Sequence, residues 1–196
     1  MAHRRHKYKL LRTKKMSNKT NLPPLTLVLG GQRSGKSAYG ESLINAEGLG
    51  GVYIATADIN ISKADEEMMA RINAHKARRG PKWDTVEEAL DIKSSLKKFD
   101  KTKPVLVDSL GMWVANMIEA GSYIEDEIEH TIDVLFFHPA PVVVISEEVG
   151  LGIIPDNSLG RSFIDTLGAL NQSIAAKAQN VFLCVAGIPI VIKKKE

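Results

Sequence analysis

The chain has 196 residues, 44% hydrophobic and 25% charged, which is enough for one sizeable core and typical of a globular domain rather than a disordered or fibrous chain. Its formal net charge of +3 is a property of the tail, because residues 1–24 hold eight of the 26 basic residues and no acid, leaving 18 basic against 23 acidic in the remainder. No apolar run approaches the ~18 residues of a membrane span, and the single cysteine, Cys184, excludes a disulfide framework and points to a reducing cytoplasm.

In chain order, residues 1–24 form a basic extension closed by Pro23-Pro24, and residues 25–196 form a single domain. The extension lacks the apolar segment of a secretory signal and reads as disordered. A nucleic-acid arm, a targeting peptide and a segment upstream of a start at Met16 are the alternatives. "LTLVLG" (25–30) predicts a buried strand, and "GKSAYGESLINAEG" (35–48) a helix ending at Gly48. "GVYIATA" (51–57) predicts a second strand. Over 65–80 the spacing of Met68, Met69 and Ile72 predicts a helix stopped by Gly80-Pro81. "WDTVEE" is a short extended piece followed by a helix to about Lys98, and "PVLVDS" (104–109) is a third buried strand with helices across 110–136. "APVVVISEEVG" (140–150) is a fourth strand, apolar on both faces. Phe163, Leu167, Leu170 and Ile174 mark a long amphipathic helix over 158–179. "NVFLCVAGIPIVIK" (180–193) predicts two short strands around a Gly-Ile-Pro turn, with Cys184 a small core residue. Strands apolar on both faces, alternating with helices, imply a mostly parallel sheet covered by helices.

The chemistry concentrates at three places. Gly30-x-x-x-x-Gly35-Lys36-Ser37 matches the phosphate-loop pattern between an apolar strand and a helix. Its glycines let backbone N–H groups of Gly31, Gln32, Arg33 and Ser34 turn inward around phosphate oxygens. Lys36 would reach the β- and γ-phosphates, and the Ser37 hydroxyl would ligate Mg²⁺. Asp108, ending an apolar strand, is the acid expected to hold Mg²⁺ directly or through water. A helix N-cap at Asp108 or Ser109 is the alternative reading. Third, Glu67, Arg71, His75 and Arg79 fall four apart on one helix face. Neighbouring arginines would keep the His75 imidazole neutral, and a neutral imidazole is a nucleophile.

Taken together, "LVLGGQRSGKSAYGE", "DEEMMARINAHKARRGPKWDTVEE", "VLVDSLGMWVANM" and "VISEEVGLGIIPDNSLGRSFIDTLGALNQ" resemble the bifunctional adenosylcobinamide kinase/adenosylcobinamide-phosphate guanylyltransferase family of cobalamin biosynthesis, from about residue 25 to the C-terminus. The resemblance implies a P-loop NTPase fold with a RecA-like sheet, and it implies two reactions. A nucleoside triphosphate phosphorylates the aminopropanol hydroxyl of adenosylcobinamide, and GTP gives GMP to an enzyme histidine, which passes it to adenosylcobinamide phosphate. By the match, His75 would carry the GMP. The residues lining the nucleotide would be Gly30 to Ser37, Ala55, Thr56, Ala57, Lys76, Ala77, Arg78, Arg79, Glu87 and Asp108. GTP, ATP and Mg²⁺ are the implied cofactors, and a trimer is the implied assembly. No nucleic-acid partner is expected. Glu147 stands where the family often carries Asn. A kinase of another small alcohol, or a nucleotide-binding module without catalysis, would match the phosphate loop but not the histidine.

Overall fold

A computed structural model describes residues 20–57, 79–99, 102–121 and 124–195. The predicted helix over 65–80 lies outside them apart from its last residues, and His75, Lys76, Ala77 and Arg78 with it.

The described chain forms seven strands in one sheet: β1 (Leu25–Gly30), β2 (Val52–Ala55), β3 (Asp84–Glu87), β4 (Val105–Asp108), β5 (Val142–Glu147), β6 (Asn180–Val185) and β7 (Ile188–Lys194), in the spatial order β3-β2-β4-β5-β1-β6-β7. All neighbouring pairs are parallel except the β6–β7 hairpin. Five helices connect them: α1 (Lys36–Asn45), α2 (Ile92–Lys98), α3 (Leu110–Glu119), α4 (Ile124–Phe137) and α5 (Ser158–Lys177).

The central strands are apolar on both faces because both faces are covered. Leu25, Leu27, Val105, Val107, Val142 and Val144 pack into one core with Trp113, Val114, Leu135, Leu167, Leu170 and Ile174 of the helices α3, α4 and α5. Val28, Tyr53, Leu106, Val143 and Ile145 face the other way and pack with Ile44 of α1, Trp83, Phe182 and Cys184. Burying each such large side chain stabilises the fold by roughly 1.5–3 kcal/mol, so the sheet is held from both sides as the sequence pattern implies.

Local signals fix the element ends. Asn157, Asp91 and Ser109 cap α5, α2 and α3 by accepting from Gly160, Ser94 and Met112 N–H groups respectively. Ser109, not Asp108, is therefore the helix cap, which leaves the Asp108 carboxylate to another role. The turn between β6 and β7 is Ala186-Gly187, with φ of 51° and 81°. Ile188 and Pro189 are already in β7, Pro189 facing Cys184, so the predicted Gly-Ile-Pro turn shares Gly187 with the observed one but runs two residues too far along the chain at its end. A two-residue turn with both φ positive suits the twist of a hairpin, and proline is tolerated because β7 is the sheet edge. Cys184 is buried, as expected, and burial pushes its thiol pKa up.

Candidate active site at the carboxyl ends of the strands

Strand register places the predicted residues along one edge. Gly30 of β1 lies opposite Glu147 of β5, Asp108 of β4 opposite Ile145, and Ala55 of β2 opposite both Asp108 and Glu87. The phosphate loop, Asp108, the Ala55–Ala57 segment and Glu87 thus share the carboxyl end of the sheet, where open α/β sheets bind ligands. Strand β5 stands between the phosphate-loop strand and the strand that ends in Asp108.

The loop itself is tightly built. Gly31, Gln32 and Arg33 are exposed, whereas Ser34 and Lys36 are buried and Gly35 and Ser37 half-buried. Arg33 has φ of 57° and Gly35 of 91°, so the chain winds through left-handed backbone immediately before α1. Left-handed backbone just before a helix N-terminus is the kind of geometry that forms an anion-binding concavity, and here the Ser34 N–H turns back to Gly31 O at 3.3 Å. The β6–β7 turn closes it from behind: Gly187 N–H donates to Ser34 O at 2.9 Å. A Cβ on Gly35 would stand 3.0 Å from Gly187 Cα.

Lys36 Nζ donates to Gly31 O at 3.2 Å and lies 3.3 Å from Glu147 Oε1. The other oxygen, Glu147 Oε2, accepts from Gly111 N–H at 3.0 Å at the start of α3. Sequence reading did not foresee this pairing. Its only signal was a carboxylate ending a strand that is apolar on both faces.

Asp108 is oriented by Tyr53, whose hydroxyl donates to Asp108 Oδ2 at 2.7 Å. Burial first, and then the Asp108 charge, push the Tyr53 phenol far up, so it stays a donor. Thr56 is fully buried. Its hydroxyl donates to Ser109 O at 2.6 Å and accepts from Ser109 N–H at 2.7 Å, while Asn116 Nδ2 donates to Thr56 O. Thr56 therefore clamps the β2 and β4 ends together. Glu87 is exposed at the end of β3.

Arg79, expected on the His75 helix face, packs against the sheet. It is 7% exposed, with its guanidinium 3.6 Å above the Tyr53 ring centroid and Nη1 3.6 Å from Glu41 Oε1. Cation–π stacking and a carboxylate partner are what allow a guanidinium to be buried there.

Serine hydroxyl and carboxylate oxygens are the hard donors that Mg²⁺ takes, so Ser37 and Asp108 fit the ion chemically. Among the described residues no group of three or more potential metal-ligating side chains exists, and no helix is long and apolar enough to cross a membrane.

Comparison with known proteins agrees with this geometry. The fold resembles the ATPase domain of G40P, with a TM-score of 0.52 at 11% identity over all of this chain and 90% of that one, which speaks to the P-loop ATPase fold alone. The chain is 37% identical over 170 residues to the bifunctional adenosylcobalamin biosynthesis protein CobP of Pseudomonas aeruginosa, covering 85% of this chain and 96% of that protein. It is 38% identical over 188 residues to the bifunctional adenosylcobalamin biosynthesis protein CobU of Salmonella typhimurium, covering 86% and 99%. The profile of one family, cobinamide kinase / cobinamide phosphate guanyltransferase, matches residues 26–192. With a phosphate loop, an oriented acid and a sheet edge in the required places, the chain belongs to the cobinamide kinase / cobinamide phosphate guanyltransferase family.

Proposed function

We propose that this bifunctional kinase and guanylyltransferase runs both reactions at the phosphate-loop edge of the sheet, with GTP as guanylyl donor, ATP or GTP as phosphoryl donor, and His75 as the residue that carries GMP. The observation that carries the reading is the phosphate loop with Lys36 buried at its centre and Asp108 on the same sheet edge. In phosphoryl transfer the acceptor hydroxyl oxygen bonds the γ-phosphorus, the bond to the β-phosphate oxygen breaks, and the hydroxyl proton leaves. The loop N–H groups and Lys36 hold the triphosphate in line, which is most of what such a transfer needs. Mg²⁺ held by Ser37 and Asp108 would offset charge on the phosphate oxygens. The Tyr53 hydroxyl, donating to Asp108 Oδ2, limits the rotation of that carboxylate.

In guanylyl transfer the His75 ring nitrogen bonds the α-phosphorus and pyrophosphate leaves. The phosphate of adenosylcobinamide phosphate then displaces the imidazole, giving adenosylcobinamide-GDP. A covalent intermediate divides one difficult substitution into two. The setting is cytoplasmic. An assembly of several copies, three by the resemblance, is the oligomeric reading, supported by the exposed apolar side chains of Leu151, Ile153, Ile154 and Ile188. Sedimentation velocity tests the assembly.

The decisive experiment incubates the protein with α-³²P GTP and Mg²⁺ beside His75→Ala. An acid-labile, alkali-stable label on the wild type that is lost in the variant is the expected result. An unlabelled wild type with intact GTP binding would remove the transferase half of the reading.

A further inference from the structure

Glu147 ends β5, the strand between the phosphate-loop strand β1 and the Asp108 strand β4. It is fixed from several directions. Asn171 of α5 donates from Nδ2 to Glu147 O at 3.0 Å, and the next N–H, of Glu148, donates to Gly30 O at 3.2 Å. Glu147 Oε2 accepts from Gly111 N–H at 3.0 Å in the first turn of α3, the end of a helix that favours negative charge. Gly111 makes room for that oxygen, since a Cβ there would collide with it. The other oxygen, Oε1, faces Lys36 Nζ at 3.3 Å, and the lysine and glutamate side chains are 9% and 21% exposed. A carboxylate anchored to a neighbouring strand and two helices is thus set against the lysine of the phosphate loop.

We propose that Glu147 is a specificity-determining residue that admits a nucleoside triphosphate together with its divalent cation and turns away the metal-free triphosphate. This rests on the reading of the phosphate loop as the triphosphate site, with Mg²⁺ at Ser37 and Asp108. A triphosphate needs the Lys36 ammonium for its β- and γ-phosphates. The lysine can follow the phosphates because its stem is flexible. Glu147 stays behind, because Gly111 N–H holds its other oxygen and Asn171 holds its backbone. Its charge is then left half-buried beside phosphate oxygens of the same sign, without the partner that had offset it. A metal-free triphosphate brings no replacement. A triphosphate that carries a divalent cation brings positive charge to the same sheet edge, where Asp108 stands on the neighbouring strand, and so offsets the carboxylate as well as the phosphates.

The test is calorimetric titration of wild type, Glu147→Gln and Glu147→Asn with the α,β-methylene analogue of GTP, whose α–β linkage cannot release GMP. Each titration is run with Mg²⁺ and with a chelator in its place. GMP, which has no β- or γ-phosphate, is the control ligand, and melting temperatures report folding. Glutamine removes the charge and keeps an oxygen for Gly111 N–H; asparagine removes it with a shorter side chain. Without metal, both variants are expected to bind the analogue about tenfold tighter than wild type. With Mg²⁺ the three proteins should agree within about threefold, so that Mg²⁺ tightens binding more in wild type than in either variant. GMP affinity should differ by no more than about twofold among them.

An equal gain from Mg²⁺ in wild type and variants would overturn the proposal. A tenfold loss of affinity in the variants when Mg²⁺ is present would make Glu147 a ligand of the cation and overturn it too, as would tighter GMP binding, which would trace the effect to a reshaped loop. If neither variant melts cooperatively, Glu147 is a structural partner of Lys36 and the proposal falls. A wild type that binds the analogue neither with Mg²⁺ nor without it overturns the phosphate-loop reading and this inference with it, and the parent protein alone tells that outcome from the others.

Discussion

Replacing Glu147 with glutamine is expected to tighten GTP binding. The Glu147 carboxylate lies 3.3 Å from Lys36 Nζ, and its side chain is 21% exposed. A phosphate-loop lysine contacts the β- and γ-phosphates, so a carboxylate touching that ammonium stands within roughly 6 Å of the γ-phosphate. Two unit charges at that separation repel by about 3 kcal/mol at an effective dielectric near 20, and by about 0.7 kcal/mol in bulk water. Partial exposure puts the site between these limits, at about 1.4 kcal/mol, a tenfold change in Kd. Glutamine keeps an oxygen that can accept from Gly111 N–H, so the start of α3 should be undisturbed. The assay is calorimetric titration of metal-free GTP into wild type and Glu147→Gln. The expected result is a Kd about tenfold lower in the variant, with the gain shrinking as salt rises. An unchanged or weaker affinity would refute the electrostatic argument and leave Glu147 as a scaffold for Lys36.

Three further outcomes follow from local geometry. Gly35→Ala combines a φ of 91° with a Cβ 3.0 Å from Gly187 Cα; it should cost about 1–2 kcal/mol and weaken GTP binding at least tenfold, read by titration and thermal melting. Asp91→Ala should lose about 1 kcal/mol of stability at neutral pH, because Asp91 caps α2. Bonds from Ser94 hold the Asp91 carboxyl below its ordinary range, so its contribution is present above the unfolded value of about 3.9 and lost as pH falls through the lower folded value. Chemical denaturation of wild type and variant should therefore converge in acid and separate at neutral pH. Cys184, buried and with its pKa raised, should react with a thiol reagent only as fast as the protein opens, and labelling within seconds at mildly alkaline pH would contradict that burial.

The phosphate loop was legible because glycines, lysine and serine must stand at fixed spacing between a strand and a helix, and that spacing is local. Asp108 was legible as the end of an apolar strand, but its choice between capping a helix and facing the site was not; Ser109 takes the cap. The Lys36–Glu147 pair depends on β5 lying beside β1, a neighbour relation between segments far apart in sequence that no periodicity encodes. The Tyr53–Asp108 bond depends in the same way on β2 lying beside β4. Arg79 was legible only as a cation sharing a helix face with Glu67, Arg71 and His75, and nothing local announces that the Tyr53 ring and the Glu41 carboxylate lie against it. The β6–β7 turn was misplaced because proline drew it forward, while the positive φ at Ala186 and Gly187 puts the reversal before Ile188 and Pro189.

The β6–β7 turn that closes the phosphate loop also orders the making of the protein. β1 leaves the ribosome ahead of every other described strand, yet both of its sheet partners, β5 and β6, follow far along the chain, and so does the Gly187 N–H that braces Ser34. The nucleotide cradle is thus completed by residues translated long after the motif itself. A growing chain, or one stopped before residue 187, would carry the phosphate-loop motif without the pairing that shapes it. Non-local pairing of this kind is slow, so β1 must wait as an unpaired apolar segment, the kind of surface chaperones shield, and the cradle is not braced until the chain has been made through residue 187.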